Sequence, residues 1–295
     1  MHRGPPGETG RFQAPRSKVP NLYHVAPATS ELQMEAQAVS QNAKVVIVGL
    51  GEVGKPLFEL ISPFREVVGV DISPVEVAGN VEVLHVCYPF QIPDFIGETV
   101  RYIERYNPAL TVINSTVSVG TTRTIADRTG SPVVNSPVRG KHVRMLEELR
   151  HYAKFIGALD SAAAEHAVRH FESFGLKTKV LASPEATELA KLTETTYFGV
   201  MIAWAQELER YCDQSGQSYE EITSFYDEIK FFPPVKYFPG IIGGHCVMPN
   251  IEILRRFNDS VILEAVQASN KMKTEREARK KAEPVSVESR EKIAV

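Results

Sequence analysis

The sequence has few cysteines, little net charge and no long apolar run. Its three cysteines, Cys87, Cys212 and Cys246, lie far apart and form no CxxC pair, so the pattern predicts neither a metal site nor a disulfide-linked secreted fold. The formal net charge is −3, which gives no reason to expect nucleic acid or a membrane surface as a partner. No apolar stretch approaches the roughly 20 residues of a membrane-spanning helix. The three isolated cysteines favour a reducing cytosol, so we expect a cytoplasmic protein.

The hydrophobic pattern divides the chain into four parts. Residues 1–43 begin rich in Gly, Pro and Arg, and residues 272–295 are mostly charged, so we expect a flexible extension and a charged tail. Over residues 44–182 short apolar strands alternate with helical stretches, which predicts an α/β domain of Rossmann type with a doubly wound parallel sheet. Over residues 183–271 the pattern is helical, which predicts a second, mainly helical domain.

The strand and helix limits follow from the apolar runs and the residues that end them. The predicted strands are Lys44–Val48, Glu66–Asp71, Val81–Cys87, Thr111–Asn114, Pro132–Asn135, Lys154–Ala158 and Lys177–Leu181. A long helix is expected from Pro184 to about Asp213, and a last helix over Ile251–Lys271. The middle of the long helix is apolar almost all round. Such a helix needs cover on several sides, and we expect a homodimer that forms through it.

The segment KVVIVGLGEVG, residues 44–54, places a G-x-G-x-x-G pattern between the first strand and the first helix. Gly49 permits the tight turn, Gly51 lets the backbone approach a pyrophosphate, and Gly54 allows the helix to lie close to the strand. The amides near Glu52 and Val53 would then face the phosphates at the start of the helix. The pattern predicts a dinucleotide site.

An acidic residue at the end of the second strand indicates which dinucleotide binds. Asp71 stands 22 residues after Gly49, where a carboxylate can bind both ribose hydroxyls and would repel a 2′-phosphate. We therefore predict NAD as the cofactor. Ser115 follows the fourth strand at the carboxyl edge of the sheet, where ligands of α/β proteins bind, and is expected to line the same site.

Four segments of the chain resemble the UDP-glucose/GDP-mannose dehydrogenase family. They are VIVGLGEVGKPL at 46–57, NSTVSVGTTRTIA at 114–126, ELAKLTETTYFGVMIAWAQELERYC at 188–212 and FPGIIGGHCVMPN at 238–250. The S-T-V-x-V-G-T-T and G-G-x-C patterns are not general Rossmann features. The likeness covers about residues 44–265, so the family's C-terminal nucleotide-sugar-binding domain is expected to be absent.

The resemblance implies a reaction and roles for several residues. Members of the family oxidise a sugar primary alcohol to a carboxylate through two hydride transfers to NAD. Cys246 matches the cysteine that captures the aldehyde, a role that suits a soft thiol nucleophile. Lys191 matches the lysine that stabilises developing oxygen charge, and Thr116 the threonine that helps hold the reactive water. Gly243 and Gly244 would let the loop before the cysteine close over the substrate.

Three polar residues of the family pattern are replaced in this chain. Val138 stands where the family has a glutamate, Thr195 where it has an asparagine, and Asn250 where it has an aspartate. In the family these groups order water and the oxyanion, so hydrolysis of the thioester is the step that their loss affects most directly.

Two alternatives to a nucleotide-sugar dehydrogenase remain open from the sequence. The loop NSPVRGKH, residues 135–142, is similar to the D-A-P-V-S-G-G loop of β-hydroxyacid dehydrogenases, which perform one hydride transfer without a cysteine. In that interpretation Arg139 and Lys141 bind a carboxylate or phosphate of the substrate, and Lys191 is the acid–base. The other alternative is a non-catalytic NAD-binding module or partner subunit, which the three replaced polar groups would permit.

Overall fold

The strands and helices were analysed in a computed structural model of the chain. It describes residues 43–73, 75–140, 142–228, 237–244, 246–257 and 259–282. Our predictions for Lys141, for nearly all of the extension at 1–43 and for the last part of the tail lie outside these residues.

The strands form a single seven-stranded sheet in the order β2-β1-β3-β4-β5-β6-β7. The strands are β1 Lys44–Val48, β2 Val67–Val70, β3 Val81–Val86, β4 Leu110–Ile113, β5 Val133–Asn135, β6 Lys154–Ala158 and β7 Thr178–Leu181. The helices are α1 Gly54–Ile61, α2 Phe95–Tyr106, α3 Thr121–Thr129, α4 Met145–His151, α5 Ser161–Glu172, α6 Pro184–Ser215, α7 Tyr219–Asp227, α8 Val247–Phe257 and α9 Val261–Ala282. The predicted α/β fold class is confirmed, and each predicted strand matches an observed one to within about a residue at each end.

Alternation along the central strand explains why helices cover both faces of the sheet. In β1, Val45 and Ile47 enter one apolar core while Val46 and Val48 enter the other. Successive side chains of a strand point to opposite faces, so a strand that is apolar at every position must be covered on both. The chain order reverses beside β1, because β2 lies on one side of it and β3 on the other. Ligands of open α/β sheets bind in the crevice at such a reversal.

The sequence pattern predicted a parallel sheet, but the sheet is not parallel throughout. β6 pairs antiparallel to β5, with Val134 opposite Ala158, and β7 is then parallel to β6. The connection from β5 consists of a 3-10 turn at His142–Arg144 and the short helix α4, neither of which we predicted. This connection leaves and re-enters the sheet at the same edge, so the strand direction is reversed.

Helix α6 joins the sheet to the helical part of the chain. It begins as predicted: Pro184 is in the first turn, and the Ser183 hydroxyl accepts a hydrogen bond of 3.2 Å from the Ala186 amide. It ends at Gly216, which has a positive φ of 69°. At Gly199 a Cβ atom would lie 2.7 Å from the Val247 side chain. The absence of a side chain therefore lets α8 lie directly against α6.

The predicted last helix is two helices. The break falls between Phe257 and Val261, and α9 continues to Ala282, past the predicted limit at Lys271. Ser260 ends the break, because its hydroxyl accepts a hydrogen bond of 3.3 Å from the Leu263 amide at the start of α9. In the described part of the chain, no helix combines the length and apolar character that crossing a membrane requires.

Candidate active site

The glycine turn after β1 has the close approaches that its pattern predicts. Gly49 has a positive φ of 89°, and its amide donates a 2.8 Å hydrogen bond to the Val70 carbonyl. A Cβ on Gly54 would lie 1.8 Å from the Gly49 carbonyl oxygen, whereas one on Gly51 would meet nothing within 4 Å. Gly49 and Gly54 are thus required by the turn itself, and Gly51 leaves open space above it.

The start of α1 fits the phosphates of a dinucleotide. Val53 stands at the helix start without a side-chain cap, and the first turn carries no acidic residue. Glu52 is exposed beside it. The amides of the first turn and the positive end of the helix dipole are therefore available to an anion. Asp71 follows β2 and is exposed, next to the Val70 carbonyl that Gly49 contacts, where a ribose of the same ligand would lie.

At the end of β4 the two predicted residues differ in their surroundings. Ser115 is buried, and its hydroxyl donates to the Tyr88 carbonyl at 2.6 Å. Thr116 is half-buried. The Ser115 hydroxyl therefore fixes the loops after β3 and β4 to each other, and a part in binding a cofactor would fall to its backbone. The Thr116 side chain is the more accessible of the two.

A buried glutamate that the sequence analysis missed joins the loop after β4 to α6. The Glu188 carboxylate accepts hydrogen bonds from the Gly120 amide at 2.7 Å, the Thr122 amide at 2.9 Å and the Thr122 hydroxyl at 2.6 Å. It thus caps the start of α3 from another helix. Burial raises the pKa of Glu188, and the hydrogen bonds from Thr122 and Gly120 oppose the rise. Since Lys191 lies one turn further along α6, this cap fixes where the lysine stands relative to Thr116.

Lys191 and Arg139 meet at a second glutamate that the analysis also missed. The Glu194 carboxylate lies 3.5 Å from the Lys191 ammonium and 3.2 Å from the Arg139 guanidinium. The Arg139 guanidinium also lies over the rings of Tyr152 and Phe155, at 5.1 and 5.4 Å from their centroids. These contacts orient Arg139 towards the predicted catalytic lysine. Two cations held on one carboxylate are suited to an anionic group of a substrate.

The loop that leads to Cys246 is held by buried side chains of α6 and α9. Asn270 accepts from the Ile242 amide at 2.7 Å and donates to the Ile242 carbonyl at 3.0 Å. Gln206, which is fully buried, donates to the Gly240 carbonyl at 2.7 Å. Gly243 and Gly244 follow as exposed residues. The loop is therefore anchored at Gly240 and Ile242, before its two exposed glycines.

Cys246 shares an electrostatic environment with groups from the other parts of the site. It is half-buried and immediately precedes α8. Burial raises the pKa of the Cys246 thiol; the Lys191 ammonium opposes this rise, and the Glu52 carboxylate adds to it. Charges act in this way only over short distances. The predicted nucleophile thus lies within electrostatic range of the predicted acid–base and of the glycine turn.

The three residues that replace polar groups of the family take up ordinary structural roles. Val138 and Asn250 are buried, and the Asn250 amide donates to the Cys246 carbonyl in the first turn of α8 at 3.0 Å. The Thr195 hydroxyl donates to the Lys191 carbonyl at 3.1 Å. Glu194, one residue earlier, is the carboxylate that contacts the lysine.

A Rossmann-type sheet is followed in this chain by a helical region, and comparison with known proteins shows a family likeness. Residues 185–272 match the model of the UDP-glucose/GDP-mannose dehydrogenase family, central domain. The UDP-N-acetyl-D-mannosamine dehydrogenase of Methanococcus vannielii is 25% identical over 288 residues, which cover 78% of this chain and 65% of that protein. The resemblance to this family is confirmed, over a part of the relative's length.

Solved structures show the same fold. The structure of UDP-D-ManNAc dehydrogenase from Pyrococcus horikoshii superposes with a TM-score of 0.70 at 20% identity and covers 80% of this chain and 70% of that chain. The 3-hydroxyisobutyrate dehydrogenase of Mycobacterium tuberculosis superposes with a TM-score of 0.59 at 16% identity and covers 78% of this chain and 94% of that one. The fold of this chain is thus shared with a UDP-D-ManNAc dehydrogenase and with a 3-hydroxyisobutyrate dehydrogenase.

Proposed function

We propose that this chain is an NAD-dependent oxidoreductase that oxidises the primary alcohol of a nucleotide sugar, with Cys246 holding the aldehyde for the second oxidation. The observation that carries the proposal is the half-buried position of Cys246 directly before α8, where the charges of Lys191 and of Glu52 both act on its thiol. The name of the Methanococcus vannielii relative supports a nucleotide sugar as the substrate class. Asp71 at the end of β2 supports NAD over NADP.

Each residue has a defined part in this reaction. NAD supplies a hydride acceptor when it is bound along residues 49–54. The Lys191 ammonium stabilises the charge that develops on the substrate oxygen as the hydroxyl loses its proton to solvent and the carbon loses its hydride, which gives the aldehyde. Arg139 binds an anionic group of the substrate, together with Gly243 and Gly244 of the cysteine loop and with Lys141.

Cys246 acts after the aldehyde has formed. Its sulfur adds to the carbonyl carbon and gives a thiohemiacetal, while the thiol proton passes to the carbonyl oxygen. Burial raises the pKa of this thiol, so its proton leaves as the sulfur attacks, and the Lys191 ammonium stabilises the charge that develops on the oxygen. Loss of a hydride to a second NAD and of the hydroxyl proton to solvent gives the thioester. Water held by Thr116 then breaks the C–S bond, which releases the carboxylate and restores the thiol.

A single-step oxidation of a β-hydroxy acid is the second candidate. Arg139, oriented by two aromatic rings and joined to Lys191 through Glu194, is suited to the carboxylate of a small substrate. This reaction would use Lys191 as the acid–base and would not need Cys246.

The test is NADH formation by the purified full chain with UDP-N-acetyl-D-mannosamine, UDP-glucose and a set of small β-hydroxy acids, beside a titration of NAD binding. Two NADH per nucleotide sugar support the proposal. One NADH from a β-hydroxy acid, unchanged in Cys246→Ser, supports the single-step reaction. NAD binding without turnover on any substrate contradicts both and supports the non-catalytic module.

The partner we propose is a second copy of the chain, which binds along α6. Tyr197, Trp204 and Tyr211 recur at seven-residue intervals on this helix and are 54%, 47% and 51% exposed. Residues seven apart lie on one face of a helix, so the three rings form an apolar stripe. Sedimentation should show a dimer in the wild type and a monomer in Trp204→Glu, whereas a wild-type monomer would contradict the proposal.

A cytoplasmic location is proposed as well. Cys87 and Cys212 are buried thiols outside any disulfide, as expected in a reducing compartment. Recovery of the tagged protein in a membrane or secreted fraction would contradict it.

A further inference from the structure

A lysine without an acidic contact is buried beneath the candidate site. Lys154 begins β6 and is 3% exposed. Its ammonium donates to the Ser136 carbonyl at 2.6 Å and to the Asn114 side-chain oxygen at 3.3 Å, and lies 5.0 Å from the centroid of the Phe171 ring. These partners are all neutral. A cation is costly to bury without an anion, so a lysine at this position is a candidate for a functional role.

The two oxygens that Lys154 contacts belong to the two loops that carry candidate residues. Asn114 directly follows β4 and precedes Ser115 and Thr116. Ser136 follows β5 in the segment that leads to Arg139. Two backbone hydrogen bonds join the same segments, from the Val138 amide to the Asn114 carbonyl at 3.3 Å and from the Ser136 amide to the Ile113 carbonyl at the end of β4 at 2.9 Å. Lys154 is therefore the side chain that ties these loops together from inside.

A chain of hydrogen bonds sets the orientation of Asn114. Its amide nitrogen lies 3.2 Å from the Val112 carbonyl and 3.0 Å from His85 Nδ1. Because the Asn114 amide nitrogen donates to both of these acceptors, the side-chain oxygen of Asn114 points towards Lys154. His85 Nε2 in turn lies 2.8 Å from His170 Nε2. Burial lowers the pKa of His85 far below its usual range and that of His170 to about 3, so both rings are neutral and one donates to the other.

The charge of Lys154 is easily lost. Burial lowers the pKa of its amine to about 7, and the Lys191 ammonium adds to this shift. The ionisable groups that face it are His85 of β3, Cys87 directly after β3 and Lys191 of α6, with His170 of α5 behind His85. Burial also raises the pKa of Cys87 to about 12, so that thiol supplies no negative charge.

We propose that Lys154 is a positioning residue of the active site, whose buried amino group holds the Asn114 and Ser136 loops together and thereby sets Thr116 and Arg139 at their distances from Lys191. The expected effect on kcat rests on the proposed function, whereas the expected effect on the two loops does not. Removal of the amine frees two loops on the substrate side of the site. The glycine turn at 49–54, which makes no contact with Lys154 in the described chain, is unaffected.

Three variants separate a positioning role from a general packing role. Lys154→Met removes both hydrogen bonds, Lys154→Gln keeps a donor of similar reach, and Lys179→Gln replaces an exposed lysine of the adjacent strand β7 as the control. We expect kcat to fall at least tenfold in Lys154→Met and less than threefold in Lys154→Gln. The KM for NAD should stay within twofold of the wild type in all three variants.

Hydrogen exchange tests the inference without turnover, so it stays decisive if the wild type proves inactive and the proposed function fails. The Val138 amide should exchange at least tenfold faster in Lys154→Met than in the wild type, and amides of residues 44–54 should exchange at unchanged rates. Unchanged Val138 exchange would overturn the inference. So would Met and Gln variants that lose activity equally while exchange rises over the whole chain, because this result indicates a core defect.

Discussion

The two sides of the candidate site are built by different means. On the cofactor side, backbone geometry creates the site: Gly49 requires a positive φ, and Gly54 leaves no room for a Cβ atom. On the substrate side, buried polar side chains hold ordinary loops, through Asn270 for the cysteine loop and Lys154 for the loops after β4 and β5. The cofactor side therefore depends on single glycines, whereas the substrate side depends on contacts between residues that are distant in sequence.

The largest expected effect is on the cofactor side. Gly54→Ala places a methyl group 1.8 Å from the Gly49 oxygen, and we expect the free energy of unfolding to fall by about 3 kcal/mol, as in an overpacked core, with loss of NAD binding. Gly51→Ala is the control, since nothing lies within 4 Å of its added Cβ. It should weaken NAD binding with little loss of stability. Thermal unfolding measures the stability of the two variants, and calorimetry measures their NAD binding. An equal loss of stability in the two variants would contradict the comparison.

On the substrate side, Asn270→Ala should cost about 2 kcal/mol of stability, because it leaves the buried Ile242 amide and carbonyl without partners. The rate at which Cys246 is alkylated should also change, because the loop that precedes this cysteine loses the contacts of Asn270, while NAD binding should stay the same. Thr274→Ala, which removes an exposed side chain one turn further along α9, serves as the control. If Asn270→Ala weakened NAD binding as much as Gly51→Ala, the two sides would not be separate.

Lys154 gives the site a pH dependence of stability with a definite sign. Its pKa is about 7 in the folded chain and about 10.5 when solvated, so between these values the unfolded state binds more protons. Relative to Lys154→Met, the wild type should therefore gain stability as the pH rises from 7 to 10, by up to about 1.4 kcal/mol per pH unit. Chemical denaturation of both proteins at several pH values measures this slope. Parallel pH profiles would show that Lys154 keeps an ordinary pKa.

The smallest expected effect on stability is that of Glu194, which is half exposed. Glu194→Gln should change the free energy of unfolding by less than about 0.5 kcal/mol, as should Glu207→Gln, whose carboxylate pairs with Arg210 further along α6. Only Glu194→Gln releases Lys191 and Arg139, so only this variant should lower the KM for an anionic substrate. Equal KM values in the two variants would contradict the proposal that Arg139 binds the substrate.

The difference between the two sides also explains what the sequence could predict. The turn of Gly49, Gly51 and Gly54 follows from local spacing, and the limits of β1 and α1 follow from apolar periodicity. Glu188 and Lys154 carry no local signal, since a glutamate on a helix and a lysine at the start of a strand are ordinary surface residues. Their burial depends on tertiary contacts with α3 and with the loop after β5. The reversal at β6 escaped prediction because apolar runs do not encode strand direction.

The most direct test of the account is the pKa of the Cys246 thiol, because the account requires the charges of Lys191 and Glu52 to act on this thiol. It can be measured as the pH dependence of alkylation by iodoacetamide, with peptide mapping to separate Cys246 from the buried Cys87 and Cys212. The account predicts that Lys191→Met raises this pKa and Glu52→Gln lowers it. Identical titrations in the wild type and both variants would contradict it, because the cysteine loop, α6 and the glycine turn would then not form one site.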